Sequence, residues 1–407
     1  MNRKTGRREV WFVGSTKPSR LPVFLFVFLV GCGHHQTAAE RAQTAVALPP
    51  ANPVAVGKMV QGVQAAKDGQ RERAASLLRE AIGIDANLWE ARYDLGVVLA
   101  NAGDLAGAEE QLALAAKLAP DSQEIATALA ETRRRRSEHK LAAEGLADFV
   151  QDHPNAVDAR TLYVAALRES GQIDKAISEA REVLVRKPSD ATALAELALA
   201  HLARGEKEAA ALLSKQAIDS NPSSAVAHRA TGLLDLSNGD DAEAFAEFRK
   251  AAQADPHDTT SRLNMGVVLL KAGAYPKAEE QYREILKVSP DDVEAQVGLA
   301  AALRGEADAQ HPQKLEEARS LLEKVLAQDP HDTAAEFNLG VLYADFLKRP
   351  GDAAPLFKRF LSDAPGDSPL RPDAERYVSA ASANTPPATS AAPSPPAAPA
   401  QGPAQVH

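Results

Sequence analysis

The sequence predicts an all-α protein, an α-solenoid of stacked helical hairpins with disordered segments at both ends. Two series of residues, one of prolines and one of alanines, recur every 34 residues and support this fold class. The prolines are Pro120, Pro154, Pro188, Pro222, Pro256 and Pro290, and the alanines are Ala108, Ala142, Ala176, Ala210, Ala244 and Ala278. A fixed period of this length is typical of repeat arrays, in which each unit packs only on its neighbours. Composition agrees, because 45% hydrophobic residues with only 5% aromatic residues disfavour an all-β fold.

The N-terminal stretch 1–31 is predicted to be a lipoprotein signal peptide. Its six basic residues flank the apolar run Leu21–Val30, which is shorter than the about 20 residues that a membrane-spanning helix needs. Leu29-Val30-Gly31-Cys32 resembles the bacterial lipobox, and Cys32 is the only cysteine in the chain. The resemblance implies acylation of Cys32 and a stable membrane anchor. The alternative is a plain signal peptide, or a cytoplasmic adaptor with a spurious signal.

Residues 32–54 are predicted to form a flexible tether, since they hold several prolines and few large apolar side chains. The adjacent His34 and His35 lie in this tether and are too few to make a metal site. At the other end, 382–407 consists mostly of alanine, proline and serine, and we expect it to be disordered.

About nine repeats fill 55–367, followed by a capping helix at 368–381. In the clearest copy, Thr259–Asp292, Gly266 lies mid-helix, where glycine costs about 1 kcal/mol against alanine. We expect a neighbouring helix to lie too close there for a side chain, with Tyr282 filling the gap. Gly273 marks the turn between the helices, where positive φ is needed. Pro290 ends the second helix. The eighth copy has an insertion near 306–312, and the ninth has one extra residue.

The period and these marks resemble the tetratricopeptide repeat family over most of the chain. The resemblance implies a right-handed superhelix whose concave groove, lined by first helices, holds a peptide or partner helix. Counting each repeat so that its glycine is at place eight, the family's groove places are two, five, nine, twelve and thirteen. The predicted protein-binding groove residues at these places are Tyr93, Val97, Arg229, Leu233, Leu236, Leu263, Val267, Leu270, Phe337 and Val341.

These groove places suggest an apolar ligand, and repeats 6, 7 and 9 are expected to be the most apolar. The alternative is that the same side chains pack against adjacent repeats. The basic run Arg133–Arg136 is expected to be a solvated helix end, although it could meet an acidic partner. No catalytic constellation, metal site or cofactor motif is recognisable, so we expect a protein without enzymatic activity.

Net charge indicates which class of partner the protein is suited to bind. Net charge is −9, and without 1–31 the remaining 40 basic and 54 acidic residues give −14, which disfavours nucleic acid as a partner. The lipoprotein resemblance, with Gly33 rather than aspartate after Cys32, implies a scaffold anchored to the outer membrane and facing the periplasm, which binds other envelope proteins. The segment Phe337–Leu361 resembles tetratricopeptide lipoproteins of the myxobacterial gliding-motility machinery. Alternatives are a pilotin for a type IV pilus secretin or an activator of a peptidoglycan synthase.

Overall fold

A computed structural model describes residues 49–256, 258–308 and 310–382. The predicted signal peptide, Cys32, most of the tether and the tail from 383 onward lie outside the described residues. Within that described part the chain is helical and contains no strand, which confirms the predicted fold class. No helix in it combines the length and the apolar character needed to cross a bilayer.

Nine pairs of antiparallel helices follow one another. The first helices are α1 (Pro53–Lys67), α3 (Trp89–Asn101), α5 (Gln123–Arg135), α7 (Val157–Glu169), α9 (Ala191–Ala203), α11 (Ala225–Asn238), α13 (Thr259–Lys271), α15 (Val293–Glu306) and α17 (Thr333–Val341). The second helices are α2 (Arg71–Ile84), α4 (Leu105–Leu118), α6 (His139–Asp152), α8 (Ile173–Arg186), α10 (Lys207–Ser220), α12 (Asp241–Ala254), α14 (Tyr275–Val288), α16 (Gln313–Gln328) and α18 (Pro350–Asp363). A last helix, α19 (Arg371–Ser382), packs on α18.

The turns inside the hairpins share one backbone conformation. Gly273 has φ of 69°, and the glycines at the same place in five other repeats are also left-handed. Two repeats hold a non-glycine residue there: Ser137 has φ of 59° and Lys348 has φ of 54°. The positive φ expected from the sequence is therefore confirmed, and the repeat keeps this turn even where a side chain makes it costly.

Where place eight is glycine, as in repeats 2, 6 and 7, it allows the second helix to pack close to its first helix. A Cβ atom on Gly266 would lie 2.5 Å from Cζ of Tyr282, and one on Gly298 would lie 2.4 Å from the same atom. Gly96 and Gly232 face Leu112 and Phe248 in the same way. The expected close approach is confirmed, and Tyr282 fills the space between repeats 7 and 8, where it is fully buried.

Repeats 8 and 9 depart from the regular length in two different ways. In repeat 8 the extra residues lie between the end of α15 and the start of α16. In repeat 9 a π-helical turn, Leu342–Phe346, follows α17 directly. A π turn accommodates one additional residue within a helix, which accounts for the extra residue in this copy.

In repeats 2, 6 and 8 the side chain at place four forms a hydrogen bond with the loop before the hairpin. The Arg92 guanidinium donates to the carbonyl of Ala86 and to Gln111 of α4. Gln296 donates from Nε2 to the carbonyl of Pro290 at 2.7 Å. Nε2 of His228 lies 2.8 Å from the carbonyl oxygen of Pro222. These donors give loop carbonyls a partner, so each of these three hairpins is bound to the loop that precedes it.

Glu336 breaks this pattern, because a carboxylate at place four cannot donate. Its side chain is fully buried, and Oε1 lies 2.9 Å from Nε of Arg359. Burial raises the pKa of Glu336 from its ordinary 4.5 to about 7, although Arg359 opposes the shift. The folded state thus holds a proton that the unfolded chain releases near about pH 4.5.

This raised pKa predicts that stability is fully present below about pH 4.5 and falls as pH rises toward about 7. Glu336→Gln cannot ionise, so it should raise the Tm more at about pH 8 than at about pH 5. Thermal unfolding followed by circular dichroism at both pH values measures the difference. An equal shift at the two pH values would show that Glu336 titrates normally.

Candidate partner-binding surface

The ten predicted groove residues all lie on first helices, but they differ in exposure. Four are buried: Val267 is 6% exposed, Leu270 0%, Phe337 5% and Arg229 9%. Tyr93, Val97, Leu233, Leu236, Leu263 and Val341 are half-buried. Only the six half-buried residues of the predicted set therefore have solvent-exposed surface that a partner could contact.

The buried apolar residues of this set, Val267, Leu270 and Phe337, are part of the array's own packing. The Phe337 ring lies 5.7 Å from the Phe357 ring and 5.2 Å from the Phe360 ring, both on α18. Leu270 and Phe337 belong to one apolar cluster that joins repeats 7, 8 and 9. Phe337 therefore packs on the second helix of its own repeat, within a cluster that continues into the neighbouring repeats.

Ion pairs occupy the inner surface where repeats 3 and 4 meet. Arg134 of α5 donates from Nε and Nη2 to both carboxylate oxygens of Glu169 on α7, at 2.6 and 2.5 Å. The Glu169 side chain is only 5% exposed. Burial alone would raise the pKa of Glu169, but Arg134 and hydrogen bonds from Arg134 and His139 hold it well below its usual range. This bidentate pair stays charged and joins adjacent first helices.

The same line of charges continues through repeats 4 to 7. Nε of Arg168 lies 2.7 Å from Oε2 of Glu196, and both side chains are buried. On the other side of Glu196, Arg229 lies 3.9 Å from Oε1 and 3.2 Å from Oδ2 of Asp258. Asp258 caps α13 by accepting from Ser261. We call the residues Arg134, Glu169, Arg168, Glu196, Arg229 and Asp258 the inner charge chain.

The inner charge chain changes the predicted role of Arg229. As a groove residue it was expected to face a ligand, but its guanidinium is used by Glu196 and Asp258. Burial lowers the pKa of Arg229 but the two carboxylates more than offset this and raise it. Sequence analysis placed Arg134 only in the basic run Arg133–Arg136, and it did not identify the other four members. Glu169, Arg168 and Glu196 pair across the boundary between repeats. The only visible signal is arginine at place twelve in repeats 3 and 4.

The run Arg133–Arg136 is not a solvated helix end. Arg133 and Arg136 both pair with Glu109 of α4, and Arg134 pairs with Glu169. Only Arg135 is exposed. The basic run therefore neutralises carboxylates of the neighbouring repeats and leaves little free positive charge for an acidic partner.

The array curls until distant repeats meet. A Cβ atom on Gly103, in the turn of repeat 2, would lie 3.0 Å from the carbonyl oxygen of Val288, at the end of repeat 7. The inner face is closed at repeat 8. Along α15, every residue from Ala295 to Arg304 is buried. A partner can therefore reach little of the inner face of repeat 8.

The inner face at the N-terminal end keeps partly exposed apolar side chains on two neighbouring first helices. In α1, Val56, Met59 and Val63 are half-buried, as are Tyr93 and Val97 in α3. Sequence analysis named the last two but omitted α1, because the first repeat matches the pattern poorly. The signal was present, since Val56, Met59 and Val63 hold places two, five and nine. We call these five residues the apolar floor.

The described residues do not form a metal site. They contain no group of three or more histidine, cysteine, aspartate or glutamate side chains that could hold an ion. His153 stacks on Phe149 with ring centroids 4.3 Å apart, and His331 pairs with Asp363 at 2.7 Å. These two histidines, each next to a loop between repeats, have structural partners within the array.

Family profiles identify the repeats independently. Two profiles, both described as tetratricopeptide repeat, match this chain. The first covers 65–131 and 235–303, and the second covers 164–218, 207–259 and 313–368. Together they cover more than half of the sequence. No curated protein sequence matches the chain.

Solved structures resemble the chain only loosely. The APC/C hetero-tetramer Cut9–Hcn1 has a TM-score of 0.48 at 15% identity, covering 80% of this chain and 76% of that one. Yeast Tom70 has a TM-score of 0.41 at 12% identity, covering 81% and 96%. YrrB, described as a TPR protein with an unusual peptide-binding site, has 0.39 at 21%, covering 44% and 91%. Structural similarity at this level does not indicate a shared function.

Proposed function

Because the chain belongs to the tetratricopeptide repeat family, we propose that it is a scaffold that binds another protein on its inner surface and is anchored to a membrane through an acylated Cys32. The observation that carries this proposal is the apolar floor, five half-buried apolar side chains on the neighbouring first helices α1 and α3. Helical hairpins account for nearly all described residues, so the activity proposed is noncovalent recognition.

The narrower proposal is a component of an outer-membrane motility machine that faces the periplasm. Its support is the lipobox at Leu29–Cys32 together with the resemblance of Phe337–Leu361 to gliding-motility lipoproteins. A secretin pilotin and an activator of a peptidoglycan synthase are the competing roles. Crosslinking in the native host, followed by mass spectrometry, separates them by whether motility components, a secretin or a synthase is recovered.

Acylation predicts that Cys32→Ser changes where the protein resides. The wild-type chain should incorporate labelled palmitate and sediment with membranes, because several acyl chains give a stable anchor. The Cys32→Ser variant should take up no label and should leave the membrane fraction. Metabolic labelling and fractionation measure both properties. A wild-type chain without label that stays in the soluble fraction would contradict the anchor.

The scaffold role is tested by partner capture with the full chain as bait. Val97→Asp places a charge on the apolar floor, and we expect it to lose captured proteins while helical content stays unchanged. Leu212→Asp is the matched control, because Leu212 is 60% exposed on the second helix of repeat 5. If both variants capture the same proteins as wild type, the partner binds elsewhere.

A further inference from the structure

The apolar floor is continuous across two repeats. Val56, Met59 and Val63 follow at three- and four-residue intervals, so they share one face of α1. Tyr93 and Val97 share the corresponding face of α3. A continuous apolar strip at this spacing matches the apolar face of an amphipathic helix better than an extended peptide.

Carboxylates line one margin of this floor. Glu90 and Asp94 lie three residues before Tyr93 and Val97, so each is beside a floor residue on α3. Glu124 adds a third carboxylate from α5, and the Ser122 hydroxyl donates to it at 2.9 Å. Burial raises the pKa of Tyr93, and the negative charges of Asp94 and Glu124 raise it further. The Tyr93 hydroxyl is therefore close enough to interact with carboxylates of two repeats.

This acidic margin is not neutralised as the inner charge chain is. Among the residues that the structure describes, no lysine, arginine or histidine forms an ion pair with Glu90 or Asp94. Burial and then Glu90 raise the pKa of Asp94. Lys67 and Arg135 are exposed at the other ends of their helices, near the turns. Positive charge therefore lies at the C-terminal ends of α1 and α5, whereas Glu90 and Glu124 lie near the N-terminal ends of α3 and α5.

We propose that repeats 1 to 3 bind a basic amphipathic helix of a partner protein, an inference that rests on the scaffold function proposed above. Its apolar face covers the apolar floor, and its lysine or arginine side chains lie beside Glu90, Asp94 and Glu124. Three adjacent first helices at about 8–10 Å spacing span about 20 Å, which is the length of a helix of about 14 residues.

The test uses two labelled peptides of about 14 residues, designed on that length. Both carry leucine along one helical face, and the remaining positions are lysine in one and glutamate in the other. Fluorescence anisotropy with the full chain carrying Cys32→Ser measures their affinities. The lysine peptide should bind about tenfold more tightly, because exposed ion pairs each add a modest amount. The preference should shrink at high salt.

Variants of the full chain test the apolar floor and the carboxylates beside it separately. Val63→Asp with Val97→Asp should weaken both peptides, because it charges the floor. Glu90→Lys with Glu124→Lys should reverse the preference for lysine. Glu208→Lys with Glu243→Lys makes the same charge change at exposed positions on α10 and α12, and should leave both affinities unchanged. Circular dichroism of each variant confirms that the array is folded.

The outcomes separate this inference from the scaffold function. Equal affinity for the two peptides, lost in the floor variant, would overturn the basic partner and leave the scaffold function standing. Binding of neither peptide would overturn the inference, while capture with Val97→Asp still decides the scaffold function. A photo-crosslinker at Tyr93 that attaches to residues 1–48, or to a second copy, would overturn it by identifying another occupant.

Discussion

Glu196→Ala should destabilise the protein by about 3–5 kcal/mol, because it leaves buried arginines without their carboxylate partner. Glu196 is 2% exposed and lies between Arg168, which is 2% exposed, and Arg229, which is 9% exposed. Glu196→Gln keeps the volume and should lose most of the same stability. Denaturation by urea, followed by circular dichroism, measures the loss. The effect should persist at high salt, because buried charges are poorly screened.

The matched control for Glu196 is an exposed pair in the same repeat. Asp219 and Lys215 lie 2.7 Å apart with side chains 63% and 73% exposed. Asp219→Ala should therefore cost less than about 1 kcal/mol. Replacing Glu196 and Arg168 together by methionine should recover most of the stability, since apolar residues often substitute for buried ion pairs. Glu169 then keeps Arg134 as its partner, and Arg229 keeps Asp258. A loss at Glu196 as small as at Asp219 would show that the inner charge chain is solvated.

The structure of the repeat could be predicted because the steric constraints that determine it act within one hairpin. The positive φ at Gly273 and the contact between Gly266 and Tyr282 both follow from local steric demands. The period carries these demands through the array, so one well-matched copy explains the others. The extra residue of repeat 9 could be predicted by comparing the length of that repeat with the 34-residue period. Its accommodation in a π-helical turn could not be predicted in this way.

The candidate surface could be predicted only in part, because it depends on contacts between repeats. Arg134 and Glu169 are 35 residues apart, and Arg168 and Glu196 are 28 residues apart. No pattern within a 34-residue unit indicates that such side chains will pair. The curvature that brings Gly103 to Val288 likewise arises from many small inter-repeat angles. Groove places taken from the family therefore identified Tyr93 and Val97 but also included the packed Leu270 and Phe337.

Tyr282→Ala should be about as damaging as the loss of Glu196, through a different mechanism. The ring is 0% exposed and lies against both Gly266 and Gly298, so it links repeats 7 and 8. Removing a buried aromatic side chain leaves a cavity that costs about 3–5 kcal/mol. Neither glycine has a side chain that could move into the space. Urea denaturation should show the loss.

Tyr282→Phe is the matched variant and should have the opposite sign. No described residue forms a hydrogen bond with the buried hydroxyl of Tyr282, and burial raises its pKa. A buried hydroxyl without a partner costs about 1–3 kcal/mol, so its removal should stabilise the protein or leave it unchanged. The ring of phenylalanine preserves the contact with both glycines. If Tyr282→Phe destabilised the protein by more than about 1 kcal/mol, the hydroxyl would have to be hydrogen-bonded and the junction between repeats 7 and 8 would be polar.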